Sequence, residues 1–333
     1  MTGGLGYIGS HITVELALKN FDIVLLDNLR NSSKKSITNI EKIINKKISF
    51  FEGDIRDQDK LDKLFSKYDI EAVIHLAGLK AVGESVDHPL TYYDNNVSGS
   101  LCLFQTMQKH KVKKLIFSSS ATVYGSSNKI PYTEKMPVGN TSSPYASSKL
   151  IIENMLRDIA ISDKDWSIIN LRYFNPVGAH GSGLIGENPK GKPNNLMPLI
   201  TQVAIGRIKE LEVYGNDYDT FDGTGVRDYI HVVDLAKGHV DSLLYAIKNR
   251  GEISINLGTG NGISVLELIK KFEEINNVSI PFSIQPRRKG DIDQFFADAT
   301  LAKKILNWKA KLSIDDMCKD SWNFQKKYPN GHI

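Results

Sequence analysis

The chain has 333 residues, 41% of them apolar, which is enough for a full core in one large α/β unit or in two domains. Its 42 basic and 38 acidic side chains leave a net charge of +4 without a basic stripe, which excludes a nucleic-acid-binding protein. Cys102 and Cys318 are far apart and indicate neither a disulfide framework nor a zinc site. No apolar run approaches the roughly 20 residues that cross a bilayer, and no signal peptide opens the chain, so we expect a cytoplasmic protein without membrane contact.

The chain opens with MTGGLGYIGSH, a glycine-rich turn that leads into a helical pattern. Gly4, Gly6 and Gly9 have the spacing of the dinucleotide fingerprint, in which glycines let backbone N–H groups and a helix N-terminus approach a pyrophosphate. Asp27 ends the next predicted strand, 18 residues after Gly9, where its carboxylate would bind an adenosine ribose. The same carboxylate would repel a 2′-phosphate, so the pattern favours NAD over NADP, although Arg30 nearby tempers that preference.

Only Met1 and Thr2 precede the glycine turn, although this topology places a central strand there. Losing about five buried apolar residues, at roughly 1.5–3 kcal/mol each, would rival the stability of a whole domain. We therefore expect the full-length protein to carry several more apolar residues upstream of Met1.

Short apolar runs alternate with segments of helical periodicity over the first half of the chain. The runs cover residues 22–27, 48–54, 71–78, 113–120 and 167–174. This alternation predicts an α/β protein with a Rossmann-type, doubly wound parallel sheet. Beyond residue 174, long loops rich in glycine, proline and asparagine are typical of a functional region. We expect an NAD-binding domain over 1–174 and a smaller C-terminal substrate-binding α/β domain over 175–333, with parts of 228–260 returning to the first domain.

Three polar segments follow predicted strands, at the carboxyl edge where ligands of open α/β sheets bind. Asp54 ends one strand and either contacts the adenine or serves only as a turn residue. The segment LAGLKAVGES brings Lys80 near the cofactor, unless that lysine is simply solvated. The segment FSSSATVYG offers Ser120 as a hydrogen-bond partner of a sugar hydroxyl or of a catalytic tyrosine, the alternative being ordinary turn chemistry.

Tyr145 and Lys149, in SPYASSK, are four residues apart and share one face of a predicted helix. A phenol with a pKa near 10 is a poor base at neutral pH, but a neighbouring ammonium and a cationic nicotinamide favour its phenolate. The pair therefore suits proton transfer coupled to hydride transfer. With 13 tyrosines in the chain, about one such spacing is expected by chance, so the interpretation depends on the ordered set of motifs.

That ordered set resembles the extended short-chain dehydrogenase/reductase family, and within it the UDP-glucose 4-epimerases, over essentially all 333 residues. The matching motifs are TGGLGYIGSH, LAGLKAVGES, YYDNNVSG, FSSSATVYG, SPYASSK, RYFNPVGAH, NNLMP, DGTGVRDYIHVVDLA and RRKGD. The sequence departs from the family in its absent first strand and in Ala146 after the catalytic tyrosine.

The resemblance implies that the chain interconverts UDP-glucose and UDP-galactose at C4 with tightly bound NAD. Tyr145 would take the proton from the 4-hydroxyl while C4 passes a hydride to NAD, and the 4-keto sugar would turn over before the hydride returns. The resemblance places Lys149 on the nicotinamide ribose and Ser120 beside the sugar hydroxyl. It also implies a homodimer.

The motifs and the resemblance together assign most of the site. For the cofactor the residues are Gly3, Gly6, Tyr7, Ile8, Gly9, Asp27, Asn28, Leu29, Arg30, Asn31, Ser32, Asp54, Ile55, Leu76, Ala77, Gly78, Leu79, Lys80, Asn95, Ser120, Tyr145, Lys149 and Phe174. For the UDP-sugar they are Ser120, Tyr145, Asn175, Asn195, Leu196, Glu212, Val213, Tyr214, Arg227, Arg288, Asp291 and Phe295. In the resemblance Tyr214 stacks on uracil and bulky Phe295 disfavours N-acetyl sugars, while paired guanidinium donors suit a diphosphate.

Two alternatives stay open. One is a related nucleotide-sugar enzyme, such as an epimerase of UDP-N-acetylhexosamines or a UDP-glucuronate-modifying enzyme. The other is a cofactor-binding sensor that has lost catalysis, against which the intact Tyr145, Lys149 and Ser120 argue. The histidines lack metal-ligand spacing, so we assign no metal.

Overall fold

The computed structural model describes residues 1–126, 129–191, 193–288 and 290–331 of the chain. Over the first half the elements are α1 Tyr7–Leu18, β1 Val24–Asp27, α2 Lys35–Ile44, β2 Ser49–Glu52, α3 Gln58–Lys67, β3 Val73–His75, α4 Val82–Asp87, α5 Pro89–Tyr92, α6 Gly99–Lys109, β4 Lys114–Ser120, α7 Pro144–Ser162 and β5 Ser167–Tyr173. Over the second half they are β6 Asn175–Val177, α8 Leu196–Ala204, β7 Leu211–Tyr214, β8 Val226–His231, α9 Val232–Lys248, β9 Gly251–Leu257, β10 Gly262–Ser264, α10 Val265–Asn276, β11 Phe282–Gln285, β12 Gln294–Phe295, α11 Thr300–Leu306 and α12 Ile314–Lys327. A π-helical segment, Tyr93–Ser98, leads into α6, and a 3₁₀ turn, Ala121–Tyr124, follows β4.

The main sheet is parallel. β2 pairs with β1, and β3, β4, β5 and β9 lie side by side in that order. Thr2 bridges the two groups, because it pairs with Leu26 of β1 and with His75 of β3. The predicted α/β class with a doubly wound parallel sheet is confirmed.

Met1 and Thr2 hold the two parts of this sheet together through backbone hydrogen bonds. The Met1 ammonium donates to the Val24 carbonyl at 2.7 Å, and the Leu26 N–H donates to the Met1 carbonyl at 2.8 Å. On the other side, the Thr2 N–H donates to the Ile74 carbonyl at 3.0 Å. Beside Met1, a groove of about 610 Å³ lies between β1 and β3 and is lined by both apolar and charged side chains.

Each face of the sheet carries its own apolar layer. On one face α1, α9 and α11 pack on the strands, and on the other face α3, α6 and α7 do so. The first layer includes Ile12, Leu16, Ile116, Ile169, Leu235, Val240 and Ala302, and the second includes Leu61, Leu64, Leu103, Met107, Leu115, Ile152 and Leu156. Because burying one such leucine or isoleucine is worth about 1.5–3 kcal/mol, these two layers fix the strand edge that carries the site.

A smaller α/β layer packs beside the carboxyl edge of the sheet. There β8 pairs with β6, β10 and β12, and β7 pairs with β11. Helices α8, α10 and α12 enclose its own apolar cluster. The chain returns to the main sheet between these strands, since α9 packs on α1 and β9 pairs with β5. Within the described ranges, no helix has both the length and the apolar character needed to span a bilayer.

Candidate active site

The glycine turn is packed so tightly that larger residues do not fit. Gly3 has a φ of +66°, and a Cβ there would lie 2.8 Å from the backbone nitrogen of Ala77. A Cβ at Gly9 would lie 2.3 Å from the Gly3 carbonyl oxygen, whereas Gly6 has nothing nearer than 3.4 Å. Helix α1 starts at the next residue, Tyr7, with no acidic side chain in its first turn and no side-chain cap. The free space at Gly6 and the positive end of the helix dipole fit a dinucleotide diphosphate.

Asp27 fastens two turns at the end of β1. Its Oδ2 accepts from the Leu5 N–H at 3.0 Å, within the glycine turn. Its Oδ1 accepts from the Leu29 N–H at 2.9 Å and from the Ser32 hydroxyl at 2.7 Å. Leu29 has a φ of +61°, so this short loop is held in a left-handed bend by the carboxylate. Asp27 thus positions the 28–32 loop, which sequence reasoning assigned to the adenosine.

Asp54 is paired more extensively than the sequence indicated. It accepts two hydrogen bonds from the Arg56 guanidinium, both at 2.9 Å, and one from the Asn28 amide at 2.9 Å. The Arg56 guanidinium holds the pKa of Asp54 well below its usual range. Arg56 also donates to Asp94 at 2.6 Å. Sequence reasoning missed Arg56, although its position two residues after a strand-end aspartate is a usable signal.

The segment after β3 turns back onto α7, the helix that carries the predicted pair Tyr145 and Lys149. Asn96 holds it, since its Oδ1 accepts from the Leu79 N–H at 2.8 Å and its Nδ2 donates to the Leu79 carbonyl at 3.0 Å. Asn96 also donates to the Ser148 hydroxyl at 3.0 Å. A Cβ at Gly78 would lie 3.9 Å from Lys149 Nζ, so the backbone of this segment passes close to the ammonium. Sequence reasoning chose the neighbouring Asn95, which is buried, and missed Asn96.

Helix α7 presents Tyr145 and Lys149 one turn apart. It begins where Ser143 accepts from the Ala146 N–H, with proline in the first turn. Lys149 Nζ donates to the Ser118 carbonyl at 2.6 Å and lies 6.0 Å from the centroid of the Tyr145 ring. The structure therefore brings the predicted pair together, against the carboxyl end of β4.

The electrostatics of this pair are dominated by burial. Burial lowers the pKa of Lys149 to about 8, against an opposing effect of Glu153. Burial also raises the pKa of Tyr145, while a hydrogen bond with Ser120 lowers it. Ser120 in turn accepts from the Thr122 N–H at 3.2 Å and from its hydroxyl at 2.9 Å. Because burial disfavours the phenolate, Tyr145 needs a further positive charge close to its hydroxyl to ionise near neutral pH.

Beneath the pair lies a buried charged network. Arg172 donates to both oxygens of Glu153, at 3.0 and 2.6 Å, and its third nitrogen donates to the Tyr124 hydroxyl at 3.0 Å. Ser119 donates to Glu153 at 2.5 Å, and Tyr124 donates to Asn256 at 2.7 Å. Both charged side chains are only 6% exposed. None of this network was assigned from the sequence, where an arginine inside an apolar strand was the available signal.

The residues predicted for the nucleotide come from several elements. Residues 212–214 lie on β7, Arg227 lies on β8, and Arg288 and Asp291 lie in the loop between β11 and β12. Asn175 begins β6, and Asn195 and Leu196 lie at the start of α8. Arg227 donates to Asp291 at 3.2 Å, within the predicted set. The guanidinium carbon of Arg288 lies 3.9 Å from the centroid of the Tyr214 ring, and the Tyr214 hydroxyl donates to Glu212 at 2.8 Å. This ring therefore already stacks on a cation at the end of β7.

Two aromatic residues predicted for different ligands pack on each other. The ring centroids of Phe174 and Phe295 are 5.0 Å apart, and that of Tyr132 is 4.5 Å from Phe295. Phe174 is only 6% exposed. Phe295 is thus wedged in an aromatic cluster, which limits how far its ring can swing away from the site.

One further contact joins predicted cofactor and substrate residues. Glu187 Oε1 accepts from Lys80 Nζ at 2.8 Å and from the Asn195 amide at 2.7 Å. Glu187 lies in the long loop between β6 and α8 and was missed by sequence reasoning. In the described ranges, no three His, Cys, Asp or Glu side chains are grouped as metal ligands.

Comparison with known proteins gives a consistent relationship. A family model described as GDP-mannose 4,6 dehydratase matches residues 1–321. The UDP-glucose 4-epimerase of Bacillus subtilis is 52% identical over 332 residues, covering 100% of this chain and 98% of the relative. That of Dictyostelium discoideum is 53% identical over 334 residues, covering 100% and 96%.

Solved structures agree. The UDP-glucose 4-epimerase of Bifidobacterium longum, in complex with NAD+ and UDP, has a TM-score of 0.96 at 53% identity and covers 99% of this chain and 98% of that one. The enzyme from Stenotrophomonas maltophila, with NAD and formylated UDP-arabinopyranose, has a TM-score of 0.96 at 49% identity, covering 98% and 97%. The resemblance found in the sequence motifs is thereby confirmed, and the chain belongs to the UDP-glucose 4-epimerase family of the extended short-chain dehydrogenase/reductases.

Proposed function

We propose that this chain interconverts UDP-glucose and UDP-galactose by inverting C4, with NAD as its resident cofactor. The observation that carries the proposal is the Tyr145–Lys149 pair, which faces Ser120 at the carboxyl end of β4 in a chain 52% identical to a UDP-glucose 4-epimerase along its whole length. NAD binding is supported by the solved relatives that contain it and by the glycine turn and helix terminus described above.

In the proposed mechanism, bound NAD supplies the hydride acceptor and then the hydride donor. Tyr145 Oη takes the proton of the sugar 4-hydroxyl and later returns it, with Ser120 orienting both hydroxyls. Lys149 keeps a positive charge beneath the phenol while its Nζ is anchored on the Ser118 carbonyl. The hexose turns over between the two steps, whereas the diphosphate stays fixed.

The nucleotide half of the substrate is assigned to the C-terminal region. Arg227 and Arg288 are proposed to bind the diphosphate, because a guanidinium offers two parallel donors to phosphate oxygens. Asn175, Asn195 and the residues 212–214 complete the UDP site. In domain terms, residues 1–174 would bind NAD and 175–333 the UDP-sugar, with β9 and α9 returning to the main sheet.

Phe295 is proposed to limit the room for the sugar's C2 substituent. Its ring is confined by Phe174 and Tyr132, so an N-acetyl group could be admitted only by displacing packed aromatic side chains. We therefore expect UDP-N-acetylgalactosamine to react far more slowly than UDP-galactose in a coupled assay. Comparable rates on the two sugars would contradict this assignment and favour the N-acetylhexosamine alternative.

The decisive experiment is to incubate the purified protein with UDP-galactose, without free NAD, and to follow UDP-glucose. Product would demonstrate retained cofactor and C4 inversion together. Tyr145→Phe is expected to lower kcat by about 100- to 10,000-fold, the usual contribution of a general acid–base. Tyr68→Phe, at the end of α3 and bordering the groove beside Met1, is the matched control. Full activity in Tyr145→Phe would remove this tyrosine from the proposed mechanism, whereas a wild type that forms no UDP-glucose would overturn the proposed function.

A homodimer in the cytoplasm completes the proposal. Apolar side chains on neighbouring helices support self-association, since Leu101 of α6 is 46% exposed and Ile151 of α7 is 37% exposed. Light scattering of the wild type and of the Leu101→Glu variant tests it, with a monomeric wild type as the contrary result. Free Cys102 and Cys318 fit a reducing compartment.

A further inference from the structure

The loop between β6 and α8 crosses from the substrate half of the molecule to the proposed NAD site. We call residues 184–190 the strap. It is anchored at its start, because the Asn39 amide of α2 donates to the Leu184 carbonyl at 2.9 Å. Ile185 is 1% exposed and packs in a cluster with Leu5 of the glycine turn and Leu25 of β1. The strap is therefore part of the folded cofactor-binding half rather than a solvated loop.

Its end is fastened to the loop proposed to hold the adenosine. Lys190 Nζ donates to the Leu29 carbonyl at 2.8 Å, and the Lys190 N–H donates to Asn31 Oδ1 at 3.3 Å. Asp27 holds the same Leu29 in a left-handed bend. The strap and Asp27 therefore both hydrogen-bond to the backbone of one turn.

The middle of the strap contacts the segment that follows β3. Glu187 accepts from Lys80 at 2.8 Å with its own side chain only 9% exposed. Lys80 belongs to the segment after β3 that passes close to Lys149, on the nicotinamide side of the proposed site. The same Glu187 oxygen accepts from Asn195, which is proposed to contact the substrate.

The strap and the glycine turn enclose a small polar space between them. A cavity of about 50 Å³ is lined by Gly6, Tyr7 and Ser32 on one side and by Gly186, Asn188 and Lys190 on the other. The residues on the first side are among those assigned to the cofactor. A dinucleotide held on them would be covered by the strap, and its exit would require the contacts of Lys190 and Glu187 to break.

We propose that the strap retains the dinucleotide, with Lys190 and Glu187 as its two fasteners. The proposal rests on the proposed NAD site, and it adds cofactor-retaining residues to it. Retention of NAD is important for the proposed epimerisation, because the hydride must return to the sugar before the cofactor leaves.

The test is the rate at which purified holoenzyme loses NAD when diluted into labelled NAD. Lys190→Ala is expected to speed the loss about two- to tenfold, the effect of one ordinary hydrogen bond at an exposed site, and the double variant Lys190→Ala/Glu187→Ala by at least tenfold. Lys209→Ala, an exposed lysine before β7, is the matched control with an unchanged rate.

A second measurement separates retention from a general structural defect. Activity that the double variant loses on dilution should return when NAD is added, and thermal melts of the variants with saturating NAD should match the wild type. If both variants lose NAD at the wild-type rate, the proposed role of the strap is overturned and the proposed epimerase activity is unaffected. A wild type without bound NAD and without activity would overturn the proposed function as well.

Discussion

Two sets of ion pairs flank the proposed site, and they differ in what surrounds them. The pair of Arg172 on β5 and Glu153 on α7 is 6% exposed on both side chains, and it makes further hydrogen bonds with Ser119 and Tyr124. The Arg56–Asp54 pair, at the proposed adenine site, is 38% and 25% exposed. A guanidinium and a carboxylate therefore make two different kinds of contact, because the first pair joins β5 to α7 in the protein interior and the second pair lies at the surface.

Removing one partner of the buried pair is expected to have the largest effect. Arg172→Met leaves the Glu153 carboxylate buried without a counter-charge, so the free energy of unfolding should fall by about 3–5 kcal/mol in urea titrations. The double variant Arg172→Met/Glu153→Leu removes both charges and should recover much of that loss. A loss below about 1 kcal/mol in the single variant would mean that burial does not distinguish the two pairs.

In the proposed diphosphate site, the planar shape of the Arg288 guanidinium should matter more than its charge. Arg288→Lys keeps the positive charge but removes the planar fork and most of the stacking on Tyr214. We expect the KM for UDP-galactose to rise about 5- to 30-fold, which corresponds to about 1–2 kcal/mol, with a much smaller change in kcat. Arg250→Lys, an exposed arginine before β9, should leave KM unchanged. An Arg288→Lys enzyme with wild-type KM would remove this arginine from the proposed diphosphate site.

The buried network should also be visible in the pH profile. The pKa of Lys149 is lowered to about 8 by burial and is raised by the Glu153 carboxylate. Because catalysis needs the ammonium, kcat should fall as pH rises through this value. Glu153→Gln removes the negative charge, so the alkaline limb should move to lower pH by about half a unit to one unit. Glu274→Gln on the exposed face of α10 is the control, and a limb that stays in place in Glu153→Gln would separate Glu153 from Lys149.

The fold was largely predictable because the central strands β3, β4 and β5 are buried on both faces and the motifs are local. The predicted strands at 113–120 and 167–174 agree closely with β4 and β5. The predicted strand at 71–78 ends at His75, because the residues after it leave the sheet beside Gly3 and turn toward Asn96. Apolar periodicity cannot show where a close backbone approach pulls a strand out of its ladder.

Apart from Arg56, which pairs with Asp54 two residues away, the missed site residues act through residues distant in sequence. Arg172 and Glu153 are 19 residues apart, and Glu187 lies 107 residues from Lys80. Spacing rules such as the one that found Tyr145 and Lys149 apply within a single helix turn. Contacts between separate elements depend on how the elements pack, which spacing within one helix does not describe.

The smallest expected effect concerns the exposed pair. Arg56 depresses the pKa of Asp54, so ionised Asp54 stabilises the folded state at neutral pH, and this contribution is lost as pH falls through the depressed value. Asp54→Asn should therefore cost under about 1 kcal/mol at pH 7 in urea titrations, because water screens a pair this exposed. The difference from wild type should shrink below about pH 4, since the unfolded carboxylate then takes up its proton and the wild type loses the advantage. If Asp54→Asn lowers the free energy of unfolding at pH 7 as much as Arg172→Met does, the exposed Arg56–Asp54 pair stabilises the fold as strongly as the buried network.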